Sequence, residues 1–464
     1  MRSVPAPIES ALASRQRKIS YQVLVTDEEH DISSDVSSVS LSFSEEWRAN
    51  TASLTVANED GKYDQLIGGA ESSYLKQNTK IKIRAGYSDT LIDAFTGWIT
   101  KVSSVRYRRG SASTLSVQCV DMSKPFYKQE ISTDLYVNRT PNSILVDPED
   151  GVFTHYGNWD GATNLAGGDI DFTIPAVQWM KEHPMDIAHQ LMQAKDYIIW
   201  FDYSGTLTSK KRSSTDAPCA TIEGAFISSL EGSWSDEDII NTCIVTGALA
   251  GTRTELSEEK LIGMDFLYES ASSGDGRITA TIEYSLASHP VDPDTVRIVV
   301  KDRKSVVRVE ILEIKSDSIT VKVLASWRHA WIKWPWYSVS CTVEVYGKEI
   351  ETYNVYYRAE VRDDALYAEY GNREIVEKIE NPAIVSNADA IALATRTIQV
   401  ASWFRYRYKV ALAYDPRFEP TDVISVYHPD AASYLKLYVH EVRHHLERGA
   451  EPLTTLDCAF IELI

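Results

Sequence analysis

His440-Glu441-Val442-Arg443-His444 spells H-E-x-x-H, the spacing with which many zinc hydrolases hold their metal. What this motif can do depends on the element that carries it. On a helix, residues four apart stack on one face with Cβ atoms about 6 Å apart, so both imidazoles reach one ion. On a strand the same residues lie about 13 Å apart at ~3.3 Å per residue, and zinc–nitrogen bonds of about 2.1 Å cannot close that gap. Leu435, Val439, Val442 and Leu446 fit a helix, whereas Leu435, Leu437 and Val439 fit a strand. No third histidine follows His445; only Glu447, Glu451, Asp457 and Glu462 remain as ligands. The reading adopted is a strand with surface histidines. The alternative is zinc on His440 and His444 with Glu441 as base.

Other chemistry is sparse. There is no G-x-x-x-x-G-K phosphate loop and no G-x-S-x-G nucleophile elbow. The acidic runs at 147–150 and 235–239 lack EF-hand spacing and read as solvated loops. Trp327, Trp331, Trp334 and Trp336 crowd one stretch, "WRHAWIKWPWY". Such rings can stack on sugars, but filling a small core or a subunit contact is the favoured role. No catalytic, cofactor-binding or metal-binding residue is assigned, and no cofactor is expected.

The bulk composition narrows the classes further. The formal net charge is −19, with 44% hydrophobic and 24% charged residues. So acidic a chain does not grip nucleic acid or an anionic membrane through its average field. Cys119, Cys219, Cys243, Cys341 and Cys458 are scattered and form no C-x-x-C, which argues against a disulfide framework or a zinc knot. No run of 18 apolar residues occurs, and residues 1–18 have no signal-peptide core.

The elements follow from periodicity. Six short alternating stretches between residues 19 and 121 read as strands of a small antiparallel barrel or sandwich. In "VSSVSLSF", Val39, Leu41 and Phe43 take one side and serines the other. Residues 138–175 read as loop. Pro184 opens a helix with Ile187, Ala188, Leu191 and Ala194 on its apolar face, followed by a hairpin turning at Ser204-Gly205. Residues 250–290 show no clear pattern, while 294–350 read as strands of an insertion. Ser386 caps a helix over 386–402 with inner residues Ile391, Ala394, Thr395 and Ile398. Four more strands complete the chain.

Several of these stretches, in order, resemble the baseplate hub proteins of tailed phages and related contractile injection systems. They are "LTVANEDGKYDQL", "IKIRAGY", "FTGWITKV", "LSVQCVDMSKPF", "DIAHQLMQAKDYIIWFDYSGTL", "EYGNRE", "FEPTDVISV", "LYVHEVRHHLERG" and "TTLDCAFIEL". One departure is Thr421, where the family usually has glycine before Asp422. In that family the stretch around His440 is a strand.

The resemblance implies a mainly β fold with α+β parts. It implies two tail-tube-like antiparallel β-barrel modules, a central α+β domain and a β-rich insertion. The corresponding division is an N-terminal segment 1–18, a first barrel 19–126, a central domain 127–229, a second barrel from 230–290 plus 355–464, and a Trp-containing insertion 291–354. It further implies a non-enzymatic homotrimeric ring in the virion tail baseplate, assembled in the bacterial host cytoplasm. Its partners would be the tail tube protein, tape measure protein, central spike or tail tip protein, and baseplate wedge or peripheral proteins. DNA would pass through the ring without specific binding, along a wall expected to be net negative. The rival readings are a tail-associated hydrolase and a carbohydrate-binding β protein using the tryptophan cluster.

Overall fold

Alternation of apolar and hydroxyl-bearing residues builds the first module. In the strand Val36–Ser44, Val39, Leu41 and Phe43 are buried while Ser38, Ser40 and Ser42 face outward. The neighbouring strand Thr51–Ala57 repeats the pattern with Ala52, Leu54 and Val56 inside. The computed structural model describes the chain except residues 15–17, 27, 46–48, 59–60, 64–67, 88, 106–112, 166–171, 214, 257–259, 272–276, 286–294, 302–305, 315–317, 327–336 and 348–349.

The chain divides into two compact units, one made of residues 1–248 and 357–464, the other of residues 249–356. Among the described residues, the second unit holds two three-stranded sheets, one centred on Tyr337–Gly347 and one on Ser318–Ser326. Residues 250–290, without clear pattern in the sequence, supply the strands Lys260–Ala271 and Arg277–Ser285 to these sheets. This unit therefore begins at Leu249, not at 291, and residues 249–290 pair within it instead of joining the second barrel. The physical reason is hydrogen bonding: these two long strands find their partners in the insertion.

The larger unit is organised by a 13-stranded sheet. The first module contributes the strands Ile19–Val25, Val36–Ser44, Thr51–Ala57, Lys80–Tyr87, Thr90–Val105 and Thr114–Asp121. Numbered along the chain, they lie in the order 2-3-6-5-4-1. The second module contributes Ala220–Ile222, Ile227–Trp234, Tyr406–Ala413, Val423–His428, Ser433–Glu447 and Leu453–Leu463, again in the order 2-3-6-5-4-1. The register repeats as well. Cys119 opposes Ile99 and Val117 opposes Val102, with Thr100 bulged between; Cys458 opposes Val439 and Leu456 opposes Val442, with His440 bulged between. A second bulge recurs between Val36 and Ser38 in one module and between Ile227 and Ser229 in the other. One difference is that Ala220–Ile222 pairs in parallel with its neighbour, whereas Ile19–Val25 pairs antiparallel.

Between the modules in sequence lies the central α+β part. It carries the helix Pro184–Gln193 and the hairpin Tyr197–Phe201 with Leu207–Lys211. Ile187, Ala188, Leu191 and Ala194 are buried as the periodicity requires, and Gly205 turns the hairpin at φ +84°. Residues 138–175 are not all loop: Thr140 caps the short helix Pro141–Val146, and Phe153 and Trp159 are buried against Phe201. The helix Asn387–Trp403 is capped by Ser386, whose side chain accepts from the Asp389 amide at 3.1 Å. It buries Ala390, Leu393, Ala394 and Ile398, but Ile391 is exposed. Ala394 and Ile398 thus lie inside as expected, while Ala390 and Leu393 complete the stripe against the central domain in place of Ile391 and half-buried Thr395.

The departure at Thr421 has a conformational cost. Thr421 has φ +71°, and it is buried with its Oγ1 lacking a hydrogen-bond partner. Its amide donates to the Val439 carbonyl at 2.7 Å. The matching position in the first module is Asn78, with φ +66° and an amide donating to the Ile99 carbonyl at 2.8 Å. Asparagine tolerates this left-handed region, whereas a β-branched residue is strained in it. Replacement of Thr421 by Asn is therefore expected to stabilise the larger unit by about 1 kcal/mol, and Asn78→Thr to destabilise it similarly. Denaturant unfolding of both variants checks this; a loss of stability in T421N contradicts it.

Candidate functional site

H-E-x-x-H lies in the middle of the strand Ser433–Glu447. That strand has three strand partners. Residues 433–438 pair with Val423–His428, residues 441–447 pair with residues 38–44 of the first module, and Leu453–Leu463 runs along the other flank. The strand is thus the seam at which the two modules become one sheet. The bulge at His440 makes this possible. Leu435, Leu437 and Val439 are buried before it and Val442, His444 and Leu446 after it, so the inward parity changes from odd to even.

The histidines consequently have different surroundings. His445 is half exposed and hydrogen-bonds Ser40 through Nδ1 at 2.8 Å. His444 is not a surface residue: only 2% of it is exposed. It opposes Leu41 across the seam, lies edge-on to Phe43 and Tyr414, and pairs through Nδ1 with Thr454 Oγ1 at 2.9 Å. Burial, together with the Arg2 charge, pushes its pKa down to about 3. His440 turns to the opposite side, edge-on to Phe404 at the end of the long helix. Glu441 accepts from Arg443 and Ser42. Among the described residues no group of three or more His, Cys, Asp or Glu is placed to hold a metal ion. Trp327, Trp331, Trp334 and Trp336 lie outside the described residues.

The polar centre of the seam is Glu45, which the sequence reading missed. It directly follows the strand Val36–Ser44 and is 5% exposed. Its carboxylate accepts from Tyr438 at 2.5 Å, pairs with His440 Nδ1 at 2.9 Å and accepts from Arg212 Nε at 3.2 Å. Burial alone would raise its pKa. Arg212, His440 and Tyr438 outweigh that and hold it below the ordinary carboxylate range. Arg212 comes from the end of the central hairpin and also faces Asp196 at 3.7 Å, which in turn binds Arg396 of the long helix at 2.7 Å. First module, second module and central domain therefore meet at one buried charge network. It lines an open cleft of about 880 Å³. Each of these cations faces a carboxylate, and none of the groups forms a nucleophile–base pair. The arrangement fastens parts together. A sequence signal existed only in outline: an acidic residue closing an alternating strand, with its partners more than 160 residues away.

No protein-family model matches the chain, and no curated protein matches it. Solved structures do. The 43 kDa tail protein of prophage MuSo2 from Shewanella oneidensis aligns with TM-score 0.55 at 11% identity, over 95% of this chain and 98% of that one. The chain has a tail-protein fold. The tail protein from Neisseria meningitidis MC58 aligns with the same TM-score of 0.55 at 9% identity, over 95% and 96%. The resemblance drawn from ordered sequence motifs is thus borne out at the level of the fold, and the tail-protein fold is here mainly β, with a large antiparallel sheet.

Two measurements test the seam. Glu45→Gln removes the nearer of the two carboxylates facing buried Arg212 and is expected to cost about 3 kcal/mol; denaturant unfolding reads this, and an unchanged midpoint contradicts the latch. His444 stays neutral in the fold down to about pH 3. In the unfolded chain it protonates near pH 6.5, so the unfolded state binds more protons below that pH. Stability is then lost as pH falls from about 6.5 toward 3. Between pH 7 and 5 this histidine accounts for roughly 2 kcal/mol, and His444→Phe is expected to lose that much less over the same interval. Identical pH slopes for both proteins contradict the assignment.

Proposed function

We propose that this chain is a structural protein of a phage tail or related injection apparatus, and specifically a hub subunit. Three copies form a ring that joins a hexameric tail tube to a three-fold tip or spike. The observation that carries the reading is the internal duplication. One chain holds two modules of the same strand order and register, joined edge to edge in one sheet. Three such chains offer six similar modules, so a three-fold assembly can meet a six-fold one. The tail-protein fold supports the same reading.

The outward face of the sheet suits a channel wall. Ser38, Ser40, Ser42, Thr51, Ser53, Thr55, Ser116 and Gln118 point away from the core on three adjacent strands. Arg443 beside them is held bidentate by Glu441 at 2.7 and 2.5 Å. A protein grips DNA chiefly by ion pairs to phosphates. This wall offers hydroxyls and a neutralised arginine, so DNA slides past it. Partners along the axis are the tube above, the tip or spike below, and a tape measure protein in the channel.

Native mass spectrometry of the purified chain at its highest soluble concentration, with negative-stain images, checks the ring. The expected product is a closed three-copy ring. Closed dimers, or a monomer carrying zinc, contradict it.

A further inference from the structure

The duplication makes a second prediction about edges. Within one chain, residues 441–447 of the second module pair with residues 38–44 of the first. The two modules match position by position, so each seam strand has a counterpart. Residues 101–105 stand where residues 441–445 stand: both follow the bulge, and both run beside the strand that carries the matched cysteine. The strand Ile227–Trp234 stands where Val36–Ser44 stands. Leu230 opposes Val410 as Val39 opposes Leu54, and Ser233 opposes Arg407 as Ser42 opposes Thr51.

Both counterparts are unpaired on the relevant side. Among the described residues, no strand pairs with the outer flank of Ile227–Trp234, which ends the sheet. The pairing of Thr90–Val105 with Lys80–Tyr87 stops at Trp98, leaving the same flank of Lys101–Val105 without a strand partner among the described residues. The contrast in burial is large. Phe43, inside the seam, is 3% exposed, while Trp234 at the matching position is 79% exposed. An open edge bearing an exposed aromatic is a template for pairing with another chain.

We infer that the edge strand Ile227–Trp234 of one copy pairs with the free flank of Lys101–Val105 of a second copy, repeating between chains the seam each chain makes within itself. This rests on the ring reading above and names its contact. The register follows from the internal seam. Val442 opposes Phe43 and Arg443 opposes Ser42, so Val102 opposes Trp234 and Ser103 opposes Ser233. Charge agrees: exposed Lys101 comes to the end of the strand that leads into exposed Asp236 and Glu237. Every copy has one edge of each kind, so the contact is head-to-tail, and with a three-fold rotation between copies it closes into a ring.

Cysteine cross-linking of the full chain tests the pairing. In a Cys219→Ser background, Val102→Cys is combined with Trp234→Cys, and a control combines Ser103→Cys with Trp234→Cys, placing the two thiols on opposite faces. A disulfide needs Cα atoms within about 7 Å and facing Cβ vectors. The expected result is roughly tenfold more inter-chain product for the in-register pair than for the control, in a ladder that stops at three chains. Three-copy rings in which both pairs cross-link equally, or neither does, overturn this contact and leave the ring. Chains that neither associate in native mass spectra nor cross-link overturn both.

Discussion

The pairing of residues 441–447 with residues 38–44 holds the rest of the structure in place. It is a backbone interaction first: two strands from opposite ends of the chain satisfy each other's peptide groups. The side chains then complete it. Val39, Leu41 and Phe43 meet Val442, His444 and Leu446 on the inward face, and burial of an apolar side chain of this size is worth about 1.5–3 kcal/mol. A single strand serves both modules only because it changes parity at His440. Without that bulge, the residues that fill the second module's core would leave polar residues facing the first.

The Glu45 network adds specificity to this apolar seam. A buried ion pair is weak evidence for stability, since its desolvation cost is large. What it does supply is a geometric requirement. Arg212, His440 and Tyr438 together hold Glu45 charged against its burial. The central hairpin, the second module and the first module must therefore dock together. The long helix joins through Arg396 and Asp196 on the same side. A subunit that must present two barrels in fixed relation gains from such a shared fastening point.

Much of the fold was legible because the strands alternate cleanly. Val39, Leu41 and Phe43, the Ser386 cap and the Pro184 helix all follow from local chemistry. The seam was not legible, because its partners are about 400 residues apart and nothing local marks the bulge at His440. The duplication was hidden for a related reason. Matching positions keep their place in the sheet and change their identity: Phe43 and Trp234, Val117 and Leu456, Thr100 and His440. Few identities survive to hint at it: Cys119 with Cys458, Val102 with Val442, and Ser42 with Ser233. The H-E-x-x-H letters carried the opposite lesson. Their chemistry was decided by the element, and the buried place of His444 could not be seen without the bulge. The boundary of the second unit failed because the strand 260–271 mixes polar and apolar residues without strict alternation, and the alternation of 277–285 does not say which sheet it joins.

The seam can be tested most directly by amide hydrogen exchange of the isolated chain, followed peptide by peptide. If one sheet unites the two modules, peptides covering residues 36–44 and 441–447 exchange together, in the slowest class and with the same opening free energy. The edge strand Ile227–Trp234, open on one side, exchanges faster. Exchange of residues 36–44 well ahead of residues 441–447 would show that the modules open separately, and would contradict the account.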